Sequence, residues 1–361
     1  MKGTRIREGY RGAALNVNEA NGRSVTVAGI DCGTNSIRLK ISRVDGRGYE
    51  DLLPRVLRVV RLGQGVDRTH RFAQDALDRT YAAAREFADM LADYRIDGVR
   101  FVATSATRDA ENREEFEQTI ENILGVRPEV IPGTEEARLS FLGATSVLEA
   151  LLGGGRRPKP PYLVVDLGGG STELVLGGGG VEASADAVTH AFSMNIGSVR
   201  MTERHLHTDP PTEAEIAEAI ADIDAHIDEA HRSVPFERAG TIIGVSGTVT
   251  TMTALQLGLP EYDHSAVDGK RVRIDDITAV DDRFTRMTRA DRRAYKTIHP
   301  GRVDVVGGGA LVWNRVLAKV AESANRLKPA GDDRIDSYVA SEHGLLDGIV
   351  LDYGRRLLAN G

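Results

Sequence analysis

The chain has 361 residues, 41% of them hydrophobic and 27% charged, and a formal net charge of −7. That length predicts two domains of roughly 150–200 residues rather than one core, with the composition of a soluble globular protein. The charge excludes a globally basic nucleic-acid binder while leaving room for an anionic substrate steered by local fields, and no apolar run nears the roughly 20 residues of a membrane span.

Residues 1–24 lack the apolar core of a secretory signal and read as a mobile polar leader. The β-branched runs VTVAGI (25–30) and SIRLKISRV (36–44) flank a glycine turn and predict a hairpin. In 70–94, Ala73, Leu77, Ala84, Phe87 and Leu91 approach helical spacing. VRFVATSATR (99–108) reads as a buried strand ending at Arg108, 109–124 as a helix, and RPEVIPG (127–133) as a short strand. In 135–151, Ala137, Phe141, Ala144 and Leu148 share one face, so a helix is predicted to open at Glu135–Glu136. A first domain therefore covers 25–150, and the Gly-, Pro- and charge-rich 151–161 reads as a linker.

The second domain, 162–361, repeats this logic. A strand, the turn DLGGGST (166–172) and a further strand precede a helix at 212–232. Thr212 and Glu215 stand in capping-box spacing there, and Ile216, Ile220, Ile223 and Ile227 form its buried stripe. TIIGVSGTVTTMTALQLG (241–258) reads as strand, turn and helix, VDVVGGGALVWNRVLAKV (303–320) repeats that pattern, and 335–354 closes the domain. Strands alternating with helices place an α/β sheet in each half.

Glycine lets a backbone approach phosphate with its N–H groups outward and no Cβ in the way. The first turn offers the Asp31 carboxylate and the amides or side chains of Gly33, Thr34, Asn35 and Ser36. The second offers Asp166, Gly168, Gly169, Gly170, Ser171, the Thr172 hydroxyl and Glu173. Two facing aspartates, Asp31 and Asp166, with Glu173 as a third candidate, suit a Mg²⁺ held partly through water, Mn²⁺ being the alternative. The one cysteine, Cys32, fits a reducing cytoplasm and reads as a small residue in a tight turn, with no nearby histidine to activate it. His205 and His207 alternate but lack a third ligand, and read as surface residues.

Six blocks in order, IDCGTNSIRL (30–39), ATSATRDAENREEF (103–116), VIPGTEEARLSFLG (130–143), VVDLGGGSTEL (164–174), GVSGTVTTMTAL (244–255) and HPGRVDVVGGGALV (299–312), resemble the Ppx/GppA family of exopolyphosphatases and guanosine pentaphosphate phosphohydrolases. They cover nearly all the chain after residue 25. The Glu-Glu-Ala-Arg and Ser-Ala-Thr-Arg blocks separate this family from the actins and sugar kinases of its superfamily.

The resemblance implies two actin-like, ribonuclease H-like α/β domains around a cleft. It makes Glu136 the general base for water and Arg108 a ligand of the terminal phosphate. It assigns Gly247 and Thr248, with Ser246 and Gly307–Ala310, to loops holding further phosphates or a guanosine. Arg138 has a structural and a substrate reading, both open. Arg271, Arg273, Arg289, Arg292, Arg293, Lys296 and Arg302 form either a polyanion track or a solvated surface; Ile37 and Arg38 receive no role. Because 361 residues end where the second half closes, the likeness is to short members without a helical HD domain. The expectation is a cytoplasmic homodimer that cleaves inorganic polyphosphate, or alternatively guanosine pentaphosphate or a non-catalytic sensor of either.

Overall fold

The computed structural model describes residues 22–148, 158–179, 187–326, 328 and 334–360; the leader up to residue 21 and most of the linker lie outside these. Two sheets form its frame. In the first, β1 (Val25–Cys32), β2 (Ser36–Val44), β3 (Tyr49–Val59), β4 (Gly98–Ala103) and β5 (Glu129–Val130) take the order 3-2-1-4-5. In the second, β6 (Tyr162–Leu167), β7 (Thr172–Gly177), β8 (Val188–Met194), β9 (Thr241–Val245) and β11 (Ser337–Ala340) repeat it as 8-7-6-9-11. The short β10 (Arg271–Arg273) extends that edge. Each sheet joins an antiparallel meander to parallel strands, so the halves share one topology.

The central strands β1 and β6 are almost wholly buried because helices cover both sheet faces, and their sequences are correspondingly continuous apolar runs. The expected helix in 212–232 is Glu213–His231, with the Thr212–Glu215 capping box formed; Ile216, Ile223 and Ile227 are fully packed and Ile220 partly so.

Local sequence misled in several places. β3 and β8 were not foreseen; β3 is a half-exposed edge strand carrying Pro54 and a register shift, which blurs its alternation. Ser105–Asp109 is a short helix rather than the end of a strand, so Arg108 stands on a helical turn. Residues 303–305 form no strand: the three glycines after them open the helix Val306–Asn325. The helix Ser198–His205 was also missed.

Two helices exchange sheets. Gly133–Ser146 follows the first sheet yet packs Ala137, Phe141 and Ala144 on Val164, Val175 and Ile243 of the second. Leu345–Asn360 follows the second sheet yet packs Val350 and Leu351 on Val27 and Val44 of the first. Ion pairs fix the exchange: Asp352 takes Arg100 at 2.9 Å and Arg138 at 2.8 Å, and Asp347 takes Lys40 at 2.6 Å. The Arg138 side chain, also paired with Glu135 at 2.8 Å, is thereby a structural tie. Chain order and packing unit therefore differ, and the helix crossing sits directly beneath the cleft.

One buried group stands apart. Asp281, on the helix Ile274–Thr285, is 0% exposed and neither carboxylate oxygen has a hydrogen-bond partner. Burial holds its carboxyl well above the usual carboxylate range. A folded-state pKa raised above the unfolded one stabilises only below the unfolded value, and that stability is lost as pH rises toward the folded value. Asp281→Asn is therefore expected to raise stability at pH 8 by on the order of 2 kcal/mol, with the difference vanishing near pH 4. Thermal melts of both proteins across that range provide the check; an equal effect at both pH values would contradict it.

Candidate active site

Both glycine turns begin at the carboxyl end of a central strand, and the shared topology brings them face to face. A Cβ on Gly170 would lie 2.5 Å from Thr34 Oγ1 and 2.8 Å from Ser105 Oγ, so glycine brings the second turn against the first with no side chain between them. Asp31, Gly33–Ser36, Asp166 and Gly168–Ser171 line one cavity of about 60 Å³, together with Glu136, Gly247, Thr248 and Arg302. The turn residues predicted to hold phosphate and the predicted base are thus in one place, whereas Arg108, predicted as a phosphate ligand, does not line the cavity.

Glu136 lies in the first turn of the Gly133–Ser146 helix and is 6% exposed. Arg108 Nη1 donates to Glu136 Oε2 at 2.7 Å and to the Ile131 carbonyl at 3.0 Å. Burial, opposed by Arg108, pushes the Glu136 carboxyl up to about 7. One turn later, Ser140 Oγ donates to Asp166 Oδ2 at 2.5 Å, so this helix both carries the candidate base and orients an aspartate of the second turn. Burial, with Asp166 nearby, pushes Asp31 up to about 6.

Antiparallel register explains what faces each aspartate. On β1–β2 Asp31 is opposite Arg38, and on β6–β7 Asp166 is opposite Glu173. The duplicated turns therefore carry opposite charges at equivalent positions, of which only Arg38 faces the cavity. Arg38 Nη1 reaches Asp31 Oδ2 at 3.2 Å while its Nε is buried without a partner. Glu173, which is buried and accepts from Ser193 Oγ at 2.7 Å, does not line the cavity; burial and Glu136 hold its carboxyl well above the usual range.

Arg38, left without a role by sequence, and Arg302, one of seven basic residues singled out in 271–302, are the groups that sequence reading undervalued. Counting register outward from the turn would have found Arg38. Arg302 has no acidic side chain within ion-pair distance among the described residues, and burial with the repulsion of Arg38 lowers it to about 10. Its guanidinium occupies the space a side chain on Gly247 would need, 1.9 Å from a Cβ there.

Of the others, Arg273 pairs with Asp275 and Asp336 and Arg292 bonds buried backbone carbonyls, while Lys296, paired with Glu261, lines a second cavity.

A second cavity of about 320 Å³ shares Arg38, Asp166, Ser246, Gly247, Arg302 and Leu345 with the first, and extends between β3 and the helix Ser246–Gln256 to Leu57 and Tyr262. Ser246 stands at their junction with φ of 79°, a left-handed conformation uncommon for serine. Cys32 is buried and its thiol is pushed up by desolvation and Asp31, which removes it as a nucleophile. His205 binds Asp222 at 2.8 Å.

Asp31 and Asp166 fit a divalent cation because two buried carboxylates near each other carry charge that one arginine only partly offsets. No cluster of three or more metal-binding side chains occurs among the described residues, so such an ion would take its remaining ligands from water and phosphate, as Mg²⁺ prefers.

Residues 41–351 match the Ppx/GppA phosphatase family. The chain belongs to that family. It is 44% identical to Exopolyphosphatase 2 of Mycobacterium tuberculosis over 333 residues, 90% of this chain and 97% of that one. The crystal structure of an exopolyphosphatase-like protein superposes with a TM-score of 0.88 at 70% identity, covering 93% of this chain and 99% of the other. The Ppx-GppA enzyme of Aquifex aeolicus follows at 0.71 and 28%, covering 91% and 100%. The two-sheet topology is the actin-like fold of these Ppx/GppA proteins. Among the described residues no helix is long and apolar enough to cross a membrane.

Proposed function

We propose that this Ppx/GppA chain is an exopolyphosphatase that removes the terminal phosphate of inorganic polyphosphate as orthophosphate. The observation that carries the reading is the polarity of the cleft: a buried carboxylate clamped by one arginine, facing the half-buried Arg38, whose Nε lacks a partner, and the half-buried Arg302. Phosphoryl transfer needs a water in line and neutralised charge around it.

Arg108 holds Oε2 of Glu136, which leaves Oε1 to take the proton from water as the water oxygen attacks the terminal phosphorus and the bond to the bridging oxygen breaks. The Gly33 and Gly168 amides close their own turns, so the amides of Thr34, Asn35, Gly169 and Gly170 would be the donors to the equatorial oxygens, where negative charge grows. Mg²⁺ held by Asp31 and Asp166 would supply further neutralisation and a template for adjacent phosphates. The rest of the chain would run past Arg38 and Arg302 into the second cavity.

Phosphate release from long-chain polyphosphate, tetraphosphate and guanosine pentaphosphate, measured in parallel with Mg²⁺ or Mn²⁺, tests this; release from neither inorganic substrate would overturn it. The second reading, a guanosine pentaphosphate 5′-phosphohydrolase, is favoured by one observation: the larger cavity has the apolar and aromatic walls Leu57, Leu346 and Tyr262 beside its arginines, which suit a purine. Preferential turnover of guanosine pentaphosphate would select it. A cytoplasmic homodimer belongs to the same proposal and is read by fractionation and sedimentation.

Arg302→Met is expected to raise KM for polyphosphate about 10- to 100-fold, since a charge-assisted hydrogen bond contributes roughly 1.5–3 kcal/mol and 1.4 kcal/mol is tenfold. Its Tm should not fall, because the half-buried Arg302 has no acidic partner within ion-pair distance among the described residues and is repelled by Arg38. Initial rates against chain concentration and a melt check both halves of this statement.

A further inference from the structure

Arg200 lies in the first turn of the Ser198–His205 helix, in none of the six sequence blocks, and its side chain is only 11% exposed. Its backbone is fixed to the second glycine turn: the Ser198, Val199 and Arg200 amides donate to the carbonyls of Gly168 and Gly169 at 2.8–3.1 Å. Its guanidinium then spans to the other half. Nε donates to the Gly170 carbonyl at 2.7 Å, Nη2 to Ser105 Oγ at 3.3 Å and Asp109 Oδ2 at 2.5 Å, and Nη1 to Asp67.

The recipient element cannot place itself. Ser105–Asp109 is one turn of helix with no side-chain cap at its N-terminus, and Arg200 takes hold of both its first residue and its last. Residue 108 of that turn is the arginine on Glu136. Neighbouring contacts bind the same faces: Arg204 to Asp67 at 3.0 Å, Glu203 to the Gly65 amide at 3.1 Å, and Arg61 to Asp304 at 2.6 Å. None of these other three reaches the glycine turn.

We propose that Arg200 is a positioning residue that draws the Ser105–Asp109 turn onto the phosphate turn of the opposite half, so that meeting of the two halves and placement of Arg108 on the candidate base are one event. A planar guanidinium has donors enough to hold Gly170, Ser105, Asp67 and Asp109 together; a lysine ammonium has three and no fork. The catalytic consequence rests on the exopolyphosphatase reading, but the geometric one does not.

Arg200→Lys keeps the charge and the stem. It is expected to lower kcat on polyphosphate about 10- to 100-fold with KM changed less than threefold, since misplacement of aligned groups acts on the chemical step. Asp109→Asn should give a smaller loss, and the double variant less than the product of the two, as expected for side chains in contact. Spin labels on Arg85→Cys and Glu218→Cys, exposed positions on either half, read the geometry without activity. Their distance distribution should broaden toward longer values in the Arg200→Lys background.

An unchanged distribution, or kcat within twofold of wild type, would overturn the proposal. So would multiplicative losses in the double variant. A wild type silent on polyphosphate would sink the hydrolase reading alone, and the label distances would then decide the role of Arg200.

Discussion

Glu136→Gln is expected to reduce phosphate release from polyphosphate by 10²- to 10⁴-fold, the range supplied by a positioned general base. The amide is nearly isosteric and its oxygen can still accept from Arg108 Nη1, so binding and the helix crossing are left intact. What is lost is the ability to take a proton. KM should therefore move little while kcat collapses, the pattern of an interaction made in the transition state.

The pH dependence supplies a second readout. Glu136 acts as a base only when ionised, and burial pushes its carboxyl up to about 7. The wild-type rate is expected to rise with pH through about 7 and the residual rate of the variant to lack that limb. Near-full turnover in Glu136→Gln would refute the mechanism, whichever phosphoanhydride proves to be the substrate.

Gly143→Ala is expected to be the most damaging single methyl in the fold. A Cβ there would lie 1.9 Å from the Gly344 carbonyl oxygen, and the reciprocal contact places a Cβ on Gly348 1.9 Å from the Leu139 carbonyl oxygen. Both obstacles are backbone, so no side chain can rotate away. The exchanged helices would have to part, exposing the clusters around Leu139, Leu142 and Val350 where the two helices meet on the first sheet.

Destabilisation above about 4 kcal/mol, in the exceptional range for one substitution, is the expected outcome of denaturant titration. Loss of soluble protein would be the same result seen in expression. Gly46→Ala, with nothing within 4 Å of its Cβ, is the control and should stay within about 0.5 kcal/mol of wild type. Activity should fall with the fold, because the same helix carries Glu136 and Ser140.

Much of the site was legible because its chemistry is local. A strand ending in Asp, a run of glycines and a hydroxyl residue can be recognised in seven letters, and both such turns do line the cleft. The Glu213–His231 helix was legible for the same reason: its capping box closes over four residues. The failures share a cause as well. β3 is an edge strand whose alternation is interrupted by Pro54, and the Ser105–Asp109 turn is held by Arg200, 91 residues from Asp109. No window around either segment contains the information.

Arg38 lies between these cases. Its pairing with Asp31 follows from the register of a tight hairpin, yet its importance follows from Arg302, which approaches from the other half. Lone basic residues on paper become a site only when two of them line one cavity.

The amino-acid sequence alone determined the α/β class, the duplicated phosphate turns, the family resemblance and the residues able to hold phosphate or take a proton. These depend on backbone freedom and side-chain chemistry, which are properties of short segments. The tertiary structure alone decided which helix covers which sheet, which carboxylate receives Arg108, and which side of the cleft is cationic. Those are relations between groups 28 to more than 200 residues apart, set by packing and by the removal of water around charges, and neither is written in any one stretch of the chain.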